Sequence, residues 1–222
     1  IKSINDPIFN EGGLAVLKGT LAPNGAIIKH SAASKNLLHH TGKAVVFENS
    51  EDLKNRIDQP DLDINKEDIM VMKNSGPIGG PGMPESGYLP IPKKLLESGV
   101  RDMIRISDAR MSGTAFGTII LHVSPESALG GPLSIVNNGD LISLDISKRS
   151  IDLLVDDQTI EKRKNSWIKP ELPEYFSRGY GKIYYQHIQQ AEYGCDFDFL
   201  NGCSPVDTHV SIKDHSAGHH SG

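Results

Sequence analysis

Two short loops of this sequence carry side chains that could take part in catalysis. The first loop runs from Gly76 to Glu85 and interleaves glycine with proline before it ends on a carboxylate. Glycine permits positive φ and proline fixes φ near about −65°, so this composition predicts a shaped turn and excludes the interior of a helix or central strand. The second loop, Ser112 to Gly117, presents a hydroxyl group after a short apolar run.

Glu85 is a candidate ligand for a hard cation. Mg²⁺ typically binds one or two protein carboxylates and completes its shell with substrate oxygens and water. A single glutamate could therefore be the local contribution of this chain to a magnesium site. The alternative is a surface carboxylate that follows a turn, which is the commoner situation for a glutamate. Unusual backbone is concentrated at functional sites, and this favours the metal site.

Ser112 is a candidate base. A serine hydroxyl can act in this way only if cations or oriented N–H groups stabilise its alkoxide, as a metal site and a glycine-lined helix N-terminus would do. The alternative is a structural turn serine before a glycine. The run Arg110 to Thr114 lacks the first glycine of a Gly-X-Ser-X-Gly elbow, which argues against a serine hydrolase. Asp108 and Arg110 either frame this loop or contact substrate, and the sequence leaves both alternatives open.

The other polar motifs are less specific. The 76–82 loop has no Gly-Lys-Ser/Thr ending and its prolines remove N–H donors, so a P-loop is excluded and a dinucleotide fingerprint is weak. The histidines, including the pairs at 39–40 and 219–220, show no metal-ligand spacing and are expected at the solvated surface. Two cysteines, Cys195 and Cys203, form neither a disulfide framework nor a complete zinc or iron–sulfur site.

Length and charge indicate one ordinary globular domain. The chain has 222 residues and a formal net charge of −5, without a basic stripe that would suggest nucleic acid as a partner. The long apolar run of a membrane span and a charged-then-apolar leader are both lacking, so neither a membrane span nor a signal peptide is indicated. With two cysteines and no disulfide framework, a cytoplasmic, reducing compartment is expected. The chain begins at Ile1 and has no methionine before Met70, which indicates a piece of something longer.

Short strands separated by turns are predicted along most of the chain. Asn24-Gly25 predicts a tight turn that feeds a strand. The predicted strands are 14–18, 26–29, 42–48, 69–72, 102–106, 118–123, 135–136, 141–146 and 150–155. The predicted helices are 51–57 with Ser50 as N-cap, 92–100 with Leu95 and Leu96 facing inward, 159–166 and 184–192; a helix over 115–119 is an alternative to the start of the sixth strand. This pattern predicts an antiparallel barrel or sandwich without regular βαβα alternation.

Four motifs together resemble a known family. They are Gly19–Ala26, Gly79–Glu85, Ile106–Thr114 and Gly194–Leu200, which follow one another at consistent spacing. In this order they resemble the C-terminal domain of the dihydroxy-acid and sugar-acid dehydratases, and the likeness runs from about residue 10 to about residue 200.

The resemblance implies a fold and a division into domains. It implies a β-rich α+β fold, a partly open β-barrel of short strands with flanking helices, over residues 14–193. Around this domain, polar composition with glycine and proline predicts an entry linker over residues 1–13, and a glycine-, serine- and histidine-containing composition predicts a C-terminal tail over residues 194–222. An N-terminal α/β domain, absent from this chain, would hold an iron–sulfur cluster and most of the Mg²⁺ ligands. The resemblance also suggests a homodimer or homotetramer.

The resemblance also implies a reaction and roles for four residues. The family removes water from an α,β-dihydroxy acid to give an enol that becomes a 2-keto acid. By motif, Glu85 would bind Mg²⁺ and Ser112 would abstract the C2 proton, while Mg²⁺ acidifies that proton and the cluster acts as Lewis acid on the 3-hydroxyl. Thr114 would be a second hydroxyl near the substrate, and His215 is the candidate for a C-terminal histidine.

The motif wording indicates a substrate class. The segments 107–112 and 194–200 resemble the aldonic-acid branch more than the branched-chain amino acid branch, so a sugar acid is the expected substrate. Dihydroxy-acid dehydration is one alternative. A non-catalytic barrel that binds an acidic ligand or a partner protein is another. Because the cluster cysteines and remaining metal ligands are missing, the isolated chain is expected to fold but to be inactive.

Overall fold

Eight strands form one mixed sheet that is nearly closed into a barrel. The computed structural model describes residues 2–3, 5–7, 12–83, 89–112 and 116–200, with Tyr175 described through its backbone alone. The strands are β1 Ala15–Leu17, β2 Gly25–Ile28, β3 His39–Phe47, β4 Ile69–Met72, β5 Arg105–Ser107, β6 Ile119–Ser124, β7 Leu141–Asp145 and β8 Ser150–Leu153. Their order is β1-β2-β6-β5-β4-β3-β7-β8, and a bridge between Lys18 and Ser150 links the two edges beside an open seam. The predicted partly open barrel is confirmed.

The four central strands run parallel, which corrects the antiparallel pattern predicted from spacing. β3 pairs with β4, β4 with β5 and β5 with β6 in parallel, whereas β1, β2, β7 and β8 make antiparallel pairs. Helices α1, Ser50–Arg56, and α2, Lys93–Glu97, lie in the crossovers from β3 to β4 and from β4 to β5. This short βαβαβ stretch was not predicted. Its strands are buried on both faces, as every residue of Ile69–Met72 shows, so hydrophobic alternation could not reveal it.

Two apolar clusters lie on the two faces of this sheet. The interior cluster includes Leu17, Ile28 and Val46, together with side chains from β7 and β8. The outer cluster includes Phe47 and Met70 and packs the parallel strands against α1 and the segments around α2. The parallel strands therefore form a rigid layer from which the loops at their carboxyl ends project.

The helices differ from the predicted ones mainly at their ends. Asn49, and not Ser50, is the N-cap of α1, because its side chain accepts the Asp52 N–H at 2.8 Å. In α2, Leu96 is exposed and Leu95 is half-buried, so only the latter faces the core. The remaining α-helices are α3 Asp157–Ser166 and α4 Gly179–His187, the latter starting and ending earlier than predicted.

Two further local differences have clear causes. The predicted strand at 135–136 is the end of a 3₁₀ turn, Pro132–Ile135, which begins with a proline that cannot donate to a sheet ladder. β6 extends over Ile119–Ser124, so the strand prediction for this segment is confirmed over the helical alternative within the described residues. Each helix in the described ranges is too short or too polar to cross a membrane.

Candidate active site

Two loops leave the parallel strands at the same edge of the sheet. The Gly/Pro loop, residues 74–83, follows β4, and the serine loop, residues 108–112, follows β5. Met72 and Ser107, the last residues of these strands, are register partners in the parallel ladder. The carboxyl ends of adjacent parallel strands meet at one edge, which is where open α/β sheets place their ligand sites. The loops that carry the predicted chemistry therefore start side by side.

Asp108 and Arg110 join the two loops directly. The Asp108 carboxylate accepts the Ser75 N–H at 2.9 Å through Oδ1, and the N–H and hydroxyl of Ser127 at 2.9 and 2.5 Å through Oδ2. The Arg110 Nε–H donates to the Met83 carbonyl oxygen at 2.7 Å. These contacts support a framing role for both residues, one of the two alternatives that the sequence left open.

Glu126 holds the Gly/Pro loop from the other side. Its buried carboxylate accepts the N–H groups of Ile78 and Gly79 at 2.9 and 2.8 Å and the side-chain amide of Gln190 at 2.5 Å. A Cβ atom on Gly76 would lie 2.7 Å from a Glu126 oxygen, so only glycine fits there. Local spacing gave no sign of this role, since Glu126 lies far along the chain from the loop that it contacts.

The electrostatics of the two carboxylates follow from their burial. Burial raises the pKa of Asp108, although the hydrogen bonds from Ser127 and Ser75 oppose the rise. Burial also raises the pKa of Glu126, and the nearby charge of Asp108 adds to this effect. N–H groups can only donate, so these hydrogen bonds favour the ionised form of each carboxylate and act against burial.

The second half of α4 and the segment after it form the outer wall of the same region. The Tyr184 hydroxyl donates to the Pro77 carbonyl oxygen at 2.9 Å, and the Glu126 N–H donates to the Gln190 side chain at 2.9 Å. The Glu192 carboxylate accepts the Asn24 side-chain amide at 2.7 Å and also accepts the Ser124 hydroxyl. Residues 184–192 thus support the Gly/Pro loop and the end of β6.

His122 is a half-buried neighbour of the serine loop that the sequence prediction missed. Its Nε2 accepts the Met111 N–H at 2.9 Å, one residue before Ser112. Burial lowers the pKa of His122, and the positive charge of Arg110 lowers it further. The expectation that the histidines lie at the solvated surface is wrong for this one. The only available signal was a polar residue inside an apolar strand sequence.

The four predicted site residues are described unequally. Ser112 is half-buried in the serine loop. Glu85, Thr114 and His215 lie outside the described residues, as does Cys203. The described part of the Gly/Pro loop reaches Met83, two positions before Glu85, and Arg110 holds that point next to the serine loop. The described contacts thus bring together the segments that lead to Glu85 and to Ser112.

A metal ion would find only part of its ligands here. Within the ranges that the structure describes, no group of three or more histidine, cysteine, aspartate or glutamate side chains could hold a metal. The oxygens of Asp108 and Glu126 already accept hydrogen bonds from N–H and O–H groups, and this makes them poor candidates for ligands. The described residues therefore do not fit a complete metal or cluster site.

Sequence comparison gives the chain its family. The family model described as dihydroxy-acid/6-phosphogluconate dehydratase C-terminal matches residues 1–195. The L-arabinonate dehydratase of Rhizobium leguminosarum bv. trifolii is 51% identical over 198 residues, which cover 88% of this chain and 34% of that protein. The 6-deoxy-6-sulfo-D-gluconate dehydratase of Pseudomonas putida is 47% identical over 209 residues, with 93% and 36% covered.

A more distant relative belongs to the other branch. The dihydroxy-acid dehydratase of Methanothrix thermoacetophila is 42% identical over 172 residues, which cover 77% of this chain and 31% of that protein. The chain thus spans about a third of the length of the curated relatives that it matches. With its barrel, its paired loops and these matches, the chain belongs to the dihydroxy-acid/6-phosphogluconate dehydratase family as its C-terminal domain.

Proposed function

We propose that this chain is the C-terminal part of a hydro-lyase that converts an aldonic acid into a 2-keto-3-deoxy acid. Two relatives near 50% identity are named for sugar-acid substrates, whereas the dihydroxy-acid dehydratase cited above is 42% identical. The higher identity favours the sugar-acid branch. Dihydroxy-acid dehydration is the second candidate.

Ser112 is the proposed base. The observation that carries this assignment is the linkage of the serine loop to the Gly/Pro loop at the carboxyl ends of β4 and β5 through Asp108 and Arg110. In the proposed reaction, the Ser112 Oγ acts as an alkoxide and takes the C2 proton of the substrate, the C3–O bond breaks, and the departing hydroxide receives that proton and leaves as water, which restores the alkoxide. The enol product then tautomerises to the 2-keto acid. Thr114 is proposed as a second hydroxyl near the substrate and His215 as a C-terminal contributor.

Glu85 is the proposed carboxylate ligand of a Mg²⁺ ion whose other ligands lie outside this chain. Its support is its position next to the segment that Arg110 holds beside the serine loop. Mg²⁺ would acidify the C2 proton, and an iron–sulfur cluster on the N-terminal domain is proposed as a further cofactor. Asp108 and Glu126 are poor candidates for this role, because their oxygens already accept hydrogen bonds.

The proposed assembly needs more than this chain. An N-terminal dehydratase domain is the proposed partner that covers the Gly/Pro loop and the serine loop, within a cytoplasmic homodimer or homotetramer. The 222-residue chain alone is expected to fold and to release no 2-keto acid from aldonates. Turnover by the purified chain alone would refute this division of labour.

The direct test is a substrate panel on the full-length protein, with 2-keto acid as the readout. Pentonates and hexonates are expected to react in preference to a branched dihydroxy acid. Ser112→Ala is expected to lower kcat by about 10²–10⁴-fold, the usual contribution of a general base. Ser166→Ala is a matched control, because this exposed hydroxyl donates only to the Arg163 carbonyl oxygen in α3. Full activity of Ser112→Ala would contradict the proposal.

A further inference from the structure

His122 occupies a β-bulge in β6. The β2–β6 pairing places Ile27 opposite Leu121 but Gly25 opposite Ser124, so one strand advances two residues while the other advances three. His122 has a φ of 55°, the left-handed region that non-glycine residues rarely adopt. Bulges are enriched beside active sites, where they redirect a side chain.

The packing of its neighbours confirms that His122 is the extra residue. Leu121 packs in the outer cluster and Val123 in the interior cluster. In an unbroken strand, residues two positions apart would face the same side of the sheet. The switch of face between Leu121 and Val123 therefore falls at His122, whose side chain leaves the normal alternation.

The redirected histidine holds the serine loop at two points. Its backbone N–H donates to the Ala109 carbonyl oxygen at 2.9 Å, and its Nε2 accepts the Met111 N–H at 2.9 Å. The regular ladder between β5 and β6 ends before this point, with Ile106 opposite Ile120. The side chain of His122 thus takes over from the ladder and holds the backbone immediately before Ser112.

This contact requires one form of the imidazole. A backbone N–H can only donate, so Nε2 must be unprotonated and the ring proton must lie on Nδ1. Burial and the nearby Arg110 both lower the pKa of His122, in agreement with a neutral ring. Position 122 thus supplies a hydrogen-bond acceptor to the backbone of the serine loop.

We propose that His122 is a positioning residue for the dehydration reaction, which fixes the Met111 backbone through Nε2 and thereby aims the Ser112 hydroxyl at the substrate. The inference rests on the proposed role of Ser112 as the base. Misplacement of a reacting group by about 1 Å can cost about 10²-fold in rate, so the effect belongs in kcat. Substrate binding is expected to change little, because His122 contacts the loop backbone.

The test compares three variants of the full-length protein. His122→Phe keeps a ring without an acceptor and is expected to lower kcat about 10²-fold, with KM within about threefold of wild type. His122→Gln places a carbonyl oxygen near the position of Nε2 and is expected to recover most of kcat. His122→Asn is too short to reach Met111 and should behave like His122→Phe. At the positive φ of position 122, asparagine is tolerated better than glutamine or phenylalanine, so backbone strain cannot explain a lower kcat of His122→Asn than of His122→Gln.

Matched controls come from a second histidine. His40 makes a hydrogen bond between its Nε2 and the Glu67 carbonyl oxygen at 2.8 Å, at the amino end of β3, far along the barrel from the serine loop. His40→Phe and His40→Gln are expected to leave kcat unchanged. Thermal unfolding of every variant shows which ones fold. If His122→Phe does not fold, the comparison of His122→Gln with His122→Asn still tests the positioning role.

The outcomes separate this inference from the proposed function. Wild-type kcat in His122→Phe, equal losses in His122→Gln and His122→Asn, or a change confined to KM would each overturn the positioning role. If Ser112→Ala abolishes turnover while the His122 variants keep it, only the inference fails. If Ser112→Ala keeps turnover, the proposed function fails as well.

Discussion

The two ends of strand β5 bear buried carboxylates in opposite electrostatic settings. Before the strand, Asp102 pairs with Arg105 at 3.0 Å and accepts the N–H and hydroxyl of Thr118. After the strand, Asp108 and the neighbouring Glu126 accept hydrogen bonds from N–H groups of the Gly/Pro loop, and Asp108 also accepts the Ser127 hydroxyl. Burial opposes the charged form of Asp102, but these hydrogen bonds and the Arg105 charge outweigh it and lower its pKa. Burial raises the pKa of Asp108 and Glu126.

The two ends of β5 contribute differently: the carboxylate at the amino end stabilises the fold, and the carboxylates at the carboxyl end fix the loops of the candidate site. At the amino end, the Arg105 guanidinium also donates to the carbonyl oxygens of Leu89 and Met103, so the ion pair and its hydrogen bonds join three segments of the barrel, at 89, 102–105 and 118. At the carboxyl end, two carboxyl groups are buried close to each other and accept hydrogen bonds from loop N–H groups. An arrangement that costs stability but fixes backbone geometry is typical of functional sites.

The largest expected effect is on stability, at the amino end. Asp102→Asn removes the carboxylate charge that pairs with the buried Arg105 guanidinium and is expected to lower the free energy of unfolding by about 3–5 kcal/mol. Denaturant unfolding of the 222-residue chain measures it. The kcat of the folded full-length variant should stay within about twofold of wild type.

Glu161→Gln is the control for this change. It breaks an exposed ion pair with Lys164 in α3 and should cost less than about 1 kcal/mol. An Asp102→Asn variant that is as stable as Glu161→Gln would remove the distinction between the two ends of β5.

Glu126→Gln is expected to act mainly on activity. The new amide group faces N–H donors of the Gly/Pro loop, so the loop shifts and kcat of the full-length protein should fall about 10²-fold. The free energy of unfolding should fall by about 1–2 kcal/mol, the effect of a poorly satisfied buried polar group. Steady-state kinetics beside denaturant unfolding measure both. Unchanged kcat with a large loss of stability would show that Glu126 acts on the stability of the fold and not on activity.

The smallest expected effect is on the pH dependence of stability, to which the carboxylates at the two ends of β5 contribute with opposite sign. The lowered pKa of Asp102 gives stability that is present above its unfolded value of about 3.9 and is lost as pH falls through the folded pKa. The raised pKa of Glu126 gives stability that is full below its unfolded value of about 4.3 and is lost as pH rises through the folded pKa.

Unfolding as a function of pH should show these two signs. On acidification, the stability advantage of wild type over Asp102→Asn should shrink, and its advantage over Glu126→Gln should grow. The same sign in both comparisons would show that the two carboxylate environments do not differ as described.

Local sequence predicted where the strands and loops lie better than it predicted which segments they pair with and in which direction. The apolar run Ile69–Met72 predicts a buried strand, and every residue of that strand is buried in the structure. The run contains no information on the direction of the neighbouring strands. Leu96 was placed inward because two adjacent leucines look alike in sequence, yet only one can face the core from a five-residue helix. The parallel centre of the barrel emerged only from the structure.

The site shows the same limit at the level of side chains. The Gly/Pro loop could be predicted from glycine and proline, which require special backbone conformations. The structure places Gly76 against the buried carboxylate of Glu126, where a Cβ atom would be too close. Glu126 and His122 were missed, because each acts on a loop that lies distant in sequence and is brought near by strand pairing. Asp108 was noticed, but its framing contacts with Ser75 and Ser127 depend on the same long-range pairing.

The most direct measurement is the distance from the Ser112 Oγ to C2 of a sugar acid bound to the full-length protein, in an experimental structure with an unreactive substrate analogue. The account predicts about 3–3.5 Å, the separation of groups ready to react, with the serine loop still bound to the Gly/Pro loop through Asp108 and Arg110. A ligand bound at the amino ends of the parallel strands, or a Ser112 hydroxyl directed away from C2, would contradict it.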